Sequence, residues 1–119
     1  LIELVIVIVI LGILAAVALP RFIDLSAEAD AAAVEGVAGG LSSGAAINYA
    51  AFKAGSTDFV AVGNCTDVAS TLDGGLPADY TITAAPVTVD TAVQCDLKSP
   101  EGVTANFQAI GTPTPPTTP

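Results

Sequence analysis

The sequence predicts an α+β protein: a long N-terminal α-helix with an apolar first half, packed on a small antiparallel β-sheet head. Three observations support this class. Of the first 19 residues, 17 are apolar. The stretch that follows keeps a helical apolar period to about residue 54. After that the period gives way to alternating apolar residues, typical of half-buried strands. We therefore divide the chain into a helix (1–54), a β-rich globular head (55–111) and a Thr/Pro-rich tail (112–119).

Residues 1–19 read LIELVIVIVILGILAAVAL and are interrupted only by Glu3 and Gly12. As a helix rising about 1.5 Å per residue, this segment would measure about 28 Å, close to the ~30 Å of a bilayer core. The sequence thus predicts a membrane-length helix joined to a polar head. Gly12 and Pro20 lie within the long helix, and proline removes a helical hydrogen bond and clashes with the preceding turn. The backbone between them is predicted to be its weakest portion, the alternative being a simple kink.

The second half of the helix, 20–54, is predicted to be amphipathic. Its apolar residues within about 60° on a helical wheel are Ile23, Val34, Val37, Leu41 and Phe52. The charged residues on another face are Arg21, Asp24, Glu28, Glu35 and Lys53. Gly36, Gly40 and Gly44 are spaced four apart and form a small-residue ridge that permits close backbone approach. We expect the helix to continue through Gly39 because the apolar stripe keeps its phase; the alternative is a break at the Gly39-Gly40 pair.

Alternation predicts strands at 80–84, 87–91 and 103–109, with a turn-rich segment at 72–79. Residues 58–62 are predicted as either a short strand or an extended loop. The spacing suits antiparallel hairpins, and one face of the sheet should cover the apolar stripe of the helix.

The two cysteines, Cys65 and Cys95, are 30 positions apart, which does not fit a redox or metal-binding CxxC motif. An even number of cysteines in a small head favours one disulfide and an oxidising compartment. The alternative is two buried free thiols.

The composition excludes several classes of function. There is no histidine, so Ser-His-Asp, Cys-His and Cys/His zinc sites are excluded. Three basic residues face twelve acidic ones, for a net charge of −9, so the head is not expected to bind nucleic acid. Asp58, Asp67 and Asp73 are too widely spaced for an EF-hand-like loop. We predict no enzymatic activity, no metal and no cofactor.

Glu3 is the most informative residue. A carboxylate inside a membrane helix costs roughly 2.5–3.5 kcal/mol at the bilayer centre. Either Glu3 lies at the headgroup level, or it needs a cation once the segment leaves the bilayer. No basic residue of its own chain is near in sequence. The nearest candidate is the N-terminal amine of a neighbouring copy.

These residues carry a family resemblance. Leu1-Ile2-Glu3-Leu4, followed by VIVIVILGILAAVALP, resembles the mature N-terminus of a type IV pilin, with Gly12 and Pro20 in register. The run PRFIDLSAEAD is similar to the mannose-sensitive haemagglutinin branch of these pilins. The strong resemblance covers about residues 1–35. In the family two further residues, usually Phe-Thr, precede this leucine, and the phenylalanine is N-methylated.

The resemblance implies a major pilin that polymerises into a helical filament of identical subunits on the bacterial surface, serving adhesion, motility or DNA uptake. It also implies a pool in the inner membrane before assembly, and contact with the pilus assembly machinery. In this family Glu3 would neutralise the N-terminal amine of an adjacent subunit, and residues 12–20 would lose helical order. The Cys65–Cys95 pair would pin the carboxy-terminal region of the head.

Two alternatives remain. One is a pseudopilin of a type II secretion system, which forms a periplasmic piston, and the other is a membrane-tethered binding module that forms no polymer. The disulfide candidate and the tail TPTPPTTP favour a surface filament. Such a tail favours an extended polyproline conformation. Its threonines are candidate O-glycan acceptors, the alternative being a bare flexible tail: Thr112, Thr114, Thr117 and Thr118.

Overall fold

A computed structural model of the chain describes residues 1–18 and 26–116. Within these ranges the elements are α1 (Ile2–Ala18), α2 (Ser26–Lys53), a 3₁₀ helix η1 (Cys65–Thr71), and three strands, β1 (Thr81–Ile82), β2 (Ala92–Lys98) and β3 (Thr104–Ile110). The molecule is elongated, with principal-axis extents of 86 × 25 × 19 Å. This is the α+β architecture predicted from the sequence: a long helical N-terminal part and a small antiparallel sheet.

Helix α1 consists almost wholly of apolar residues, and it passes through Gly12 without interruption. Its large side chains up to Leu14 are each 50–76% exposed. In the described parts of the chain, no helix has both the length and the hydropathy needed to cross a bilayer. Pro20, and the end of the predicted segment 1–19, lie outside the described residues.

Helix α2 is continuous through Gly39-Gly40, as the phase of the apolar stripe predicted. Its buried residues follow a spacing of three and four: Val34, Ala38, Leu41, Ala45 and Asn48. The helix ends in a Schellman motif, in which Ser56 N–H donates to the Ala51 carbonyl (3.0 Å) and Gly55 N–H donates to the Phe52 carbonyl (3.1 Å). Gly55 has φ +85°, a conformation that glycine adopts without steric cost.

The sheet has the order β1-β2-β3, and both pairs are antiparallel. In the register of β2 and β3, Cys95 lies opposite Phe107. Strand β3 matches the alternation predicted at 103–109. Strand β1 keeps only two residues of the predicted 80–84, and β2 was not predicted.

The predicted strand at 87–91 is wrong. This segment is a loop that meets the chain just after β3 at a single bridge, with Val89 parallel to Gly111. Asp90 in this loop has φ +62°, which is incompatible with a regular strand. Pro86, just before this segment, forms a single antiparallel bridge with Asn64.

The core lies between α2, η1 and the inner face of the sheet, so the sheet covers the apolar stripe of the helix as predicted. Its largest fully buried side chains come from all three layers and from the loop before η1: Leu41, Leu97, Val34, Val62, Val68 and Cys65. The buried face of β3 contributes Phe107 and Ala109.

Candidate functional site

Glu3 lies in the first turn of α1 and is exposed. A carboxylate at this place interacts favourably with the positive end of the helix dipole. The ion pair found among the described residues is between Lys53 and Asp90, so Glu3 has no ion-pair partner within this part of its own chain. The structure therefore leaves the carboxylate free for a cation from outside the subunit. The assembly roles of Glu3 and Gly12 stay predictions, and that of Pro20 falls on a residue outside the described ranges.

Cys65 and Cys95 form a disulfide, as the even cysteine count suggested. The S–S distance is 2.04 Å and the Cα–Cα distance is 5.9 Å. Cys65 begins η1 and Cys95 lies in the middle of β2, and both are buried. The bridge therefore ties η1 to the sheet through the core.

The glycines of the predicted ridge have three different environments. A Cβ atom at Gly36 would meet no atom of the described residues within 4 Å, and one at Gly40 would lie 3.7 Å from Leu72 Cδ2, an ordinary contact. At Gly44 a Cβ atom would overlap Thr71 Oγ1 and lie 3.1 Å from Thr71 Cβ. Only Gly44 is thus required for close packing inside the subunit, where it lets η1 approach α2.

The sequence suggested that Thr112 belongs to a free tail, but in the structure Thr112 is part of the head. It is only 3% exposed, and its hydroxyl donates to the Val60 carbonyl (2.6 Å) and accepts from Val62 N–H (3.0 Å). The backbones of Val62 and Thr112 also pair with each other. In the folded head this hydroxyl is inaccessible, so Thr112 is withdrawn as a glycan acceptor. Thr114 is exposed, whereas Thr117 and Thr118 lie outside the described residues.

Lys53, Asp90 and Tyr49 form a polar cluster that the sequence did not predict. Lys53 Nζ lies 3.0 Å from Asp90 Oδ1, and the Tyr49 hydroxyl donates to the same oxygen at 3.0 Å. The ammonium also lies 5.3 Å from the Phe52 ring centroid and 5.7 Å from that of Tyr49. The i,i+4 spacing of Tyr49 and Lys53 on α2 was the available signal, but their partner Asp90 lies 37 residues after Lys53 and 41 after Tyr49.

This cluster shifts the pKa values of its charged members. The hydrogen bond from Lys53, followed by that from Tyr49, lowers the pKa of Asp90 below its ordinary value of 3.8. The same bond to Asp90 raises the pKa of Lys53 above 10.5. The cluster therefore links the loop around Asp90 to the C-terminal end of α2 through an ion pair whose two members keep their charges at neutral pH.

Residues 1–18 and 26–116 bring no three Asp, Glu or Cys side chains together in a way that could hold a metal ion. Clefts in the head are shallow. One of them, of about 490 Å³, is lined by polar side chains of α2, β2 and β3, including Ser42, Gln94 and Asn106. The large exposed apolar side chains of the described residues lie mainly on helix α1, which carries Glu3 in its first turn.

Comparison with known proteins bears on the family to which this chain belongs. No family model matches the chain, and no solved structure matches it. The chain is 38% identical over 99 residues to the type IV narrow pilus major component PilA5 of Thermus thermophilus. The match covers 83% of this chain and 78% of that protein.

Proposed function

The chain belongs to the type IV pilin family as a structural pilus subunit, and from this premise we propose that it polymerises through α1 into a filament on the bacterial surface. The relative is itself the major component of a pilus, so the pseudopilin alternative is not favoured. Adhesion, motility or DNA uptake are the uses we propose for the filament.

The observation that carries this proposal is the exposure of α1. Its large apolar side chains have no cover in the isolated subunit. Exposed apolar surface is unfavourable in water by roughly 25 cal/mol per Å². We propose that lipid of the inner membrane covers α1 before assembly, and that the α1 helices of other copies cover it in the filament. The pilus assembly machinery would carry the subunit from one environment to the other.

Glu3 gives this transfer its specificity. Its carboxylate has no cation within the described part of its own chain, and burying it unpaired would cost several kcal/mol. We propose that it pairs with the N-terminal amine of the adjacent subunit, which fixes how far one subunit advances along the next. We propose that the stretch from Gly12 to Pro20 loses helical order in the filament, so that α1 can pack along the α1 helices of adjacent subunits.

The tail is proposed to extend from the head into solvent. Thr114, Thr117 and Thr118 remain the candidate acceptors for O-linked glycans. A glycan there would be detected as added mass on a C-terminal peptide that begins after Lys98.

The proposal predicts that Glu3→Ala leaves the subunit in the membrane at the wild-type level but lowers filament yield about tenfold or more, since an unpaired amine must then be buried. Filaments are counted by electron microscopy, and pilin is quantified in the sheared fraction and the membrane fraction. Glu35→Ala, which removes an exposed acid from α2, is the matched control and should assemble normally. A normal filament yield from Glu3→Ala would contradict the proposal.

A further inference from the structure

A filament made from one kind of subunit needs two different surfaces that fit each other, because a heterologous contact that does not close generates a helical polymer. In this chain, with its net charge of −9, such a contact must also limit repulsion between heads. The described residues include two basic side chains, Lys53 and Lys98. Lys53 is already paired with Asp90, whereas Lys98 forms no ion pair with the described residues.

A groove of about 420 Å³ lies between α2 and the segments that carry Asp58 and Asp73. We call it the α2 groove. Its apolar lining includes Ile47 and Phe59. Ile47, a large apolar residue in the C-terminal part of α2, is 71% exposed. Neither acidic side chain makes a hydrogen bond or ion pair within the described part of the subunit. The α2 groove thus combines uncovered apolar surface with two uncompensated negative charges.

Both acids come from segments that are held firmly to α2. On one side, the Asn48 amide donates to the Val60 carbonyl (2.9 Å) and its oxygen accepts from Val60 N–H (2.7 Å), which anchors the segment after Asp58. On the other side, Thr71 packs against Gly44, and its hydroxyl donates to the Val68 carbonyl (2.7 Å). The α2 groove is therefore formed before any partner arrives.

Lys98 lies on a protruding surface of opposite charge, at the tip of the tight hairpin between β2 and β3. It is the last residue of β2, and the turn after it is closed by Ser99, whose N–H donates to the Val103 carbonyl (2.8 Å). The Ser99 hydroxyl accepts from Val103 N–H (3.1 Å), and Gly102 takes φ +87°. The turn also carries Glu101, so the tip is not a broad positive patch and presents a single exposed ammonium on an aliphatic stem.

We propose that Lys98 of one subunit docks in the α2 groove of a second copy. Its aliphatic stem lies along Ile47, and its ammonium lies near the carboxylates of Asp58 and Asp73. Each subunit offers both surfaces, so the contact repeats along an open helical polymer. This inference rests on the proposed polymerisation and names a contact between heads, separate from the contacts of α1.

A charge swap tests the contact in the full-length subunit. Lys98→Glu should lower filament yield about tenfold, because it places like charges together. The double variant Asp58→Lys/Asp73→Lys should have a similar effect. Combining all three substitutions should restore at least half of the wild-type yield. Glu101→Gln, which removes a charge from the same turn, is the matched control and should assemble normally.

Cross-linking gives a second readout that does not depend on yield. Lys98→Cys combined with Asp73→Cys should give a ladder of disulfide-linked multimers in filaments after mild oxidation. Lys98→Cys combined with Glu28→Cys, a position at the other end of α2, should give none. Cleavage before each aspartate places Cys65, Cys95 and the two new cysteines on four different peptides. Mass spectrometry of the unreduced digest then checks that Cys65 and Cys95 remain paired with each other, so that the ladder reports the new contact.

The proposal is overturned if Lys98→Glu assembles normally, if the triple swap is as defective as its parents while its subunit level is normal, or if the cysteine pair gives no ladder. If a charge-swap variant does not accumulate as a subunit, the cross-linking result alone decides whether the contact exists. Normal assembly of Lys98→Glu together with loss of filaments in Glu3→Ala would reject this contact and leave the proposed function intact.

Discussion

The three glycines of α2 illustrate how residues with the same spacing can differ in their role. Gly36 has open space around it, Gly40 makes an ordinary contact, and Gly44 allows close packing against Thr71. Periodicity identified all three as one ridge. Their environments depend on η1, a 3₁₀ helix that the sequence did not predict, so only the structure separates them.

We predict that Gly44→Ala and Gly36→Ala act in opposite directions. The added methyl at position 44 meets the Thr71 side chain and should lower the free energy of unfolding by about 1–2 kcal/mol. At position 36 the methyl contacts no atom of the described residues. The better helix propensity of alanine should therefore raise the free energy of unfolding by up to about 1 kcal/mol. Urea unfolding of the detergent-solubilised full chain, followed by circular dichroism, measures both. Equal shifts in the two variants would argue against the packing role of Gly44.

The cluster of Lys53, Asp90 and Tyr49 predicts a pH dependence with two limits. Because the pKa of Asp90 is lowered in the folded state, its contribution is present above pH 3.8 and is lost as the pH falls through the folded pKa. Because the pKa of Lys53 is raised, its contribution is present below pH 10.5 and is lost as the pH rises further. All three side chains are accessible to solvent, so the effect should be small and reduced by salt.

The measurement is the unfolding midpoint against pH for the wild type and for Asp90→Asn. The wild type should be the more stable between pH 5 and 9, a range inside both limits, and the difference should shrink at either extreme. Asp96→Asn, which removes an exposed acid from β2 that makes no ion pair, serves as the control. A difference that stays constant from pH 3 to pH 11 would show that Asp90 acts through packing alone.

At the scale of elements, the sequence predicted what depends on a regular apolar period. Helix α2 and strand β3 each bury every second to fourth residue, and both were recognised. Strand β2 has the same alternation, with exposed polar residues at 94, 96 and 98 between the more buried residues at 93, 95 and 97. Its period was therefore present in the sequence but was not recognised. Its partner β3 follows across a tight hairpin, and the disulfide to Cys65, 30 residues earlier, ties it to η1.

The segments 87–91 and Cys65–Thr71 show the limits of local reasoning. The valines at 87 and 89 alternate like a strand, but the chain there crosses the end of β3, where a Cβ on Gly111 would overlap the Thr88 carbonyl. Asn64 is the N-cap of η1: its side chain accepts from Thr66 N–H (3.2 Å), while Asp67 accepts from Asn64 N–H (3.0 Å). This capping box stabilises the helix start, but seven residues with two buried side chains carry no readable period.

Of the candidate site, the sequence predicted the parts that are unusual in composition: the apolar α1, Glu3 and the cysteine pair. It could not predict that the polar residue Asn48 is buried. The nitrogen and the oxygen of its side-chain amide both form hydrogen bonds with the backbone of Val60. Nor could it place Thr112, whose core position follows from pairing with Val62, 50 residues earlier. Both depend on long-range contacts that no local pattern encodes.

At the scale of the whole molecule, the disulfide compensates for a small core. Closing a loop of about 30 residues is worth about 3–4 kcal/mol in the chain-entropy model. We predict that Cys65→Ser/Cys95→Ser lowers the free energy of unfolding of the head by about this amount. Urea unfolding of the full chain measures the change, and mass spectrometry of the wild type should find two additional hydrogens after reduction. Unchanged stability in the double variant would contradict the role assigned to the bridge.

The same bridge has a mechanical consequence. Pulling on a filament through the proposed contact would load each head between Lys98 and Asp73. Along the backbone these positions are 25 residues apart, about 85 Å when fully extended. Through the bridge, the route is three residues from Lys98 to Cys95 and eight from Cys65 to Asp73, about 40 Å in all. A stretched fibre of this protein would therefore stiffen at roughly half the extension that the uncrosslinked chain allows.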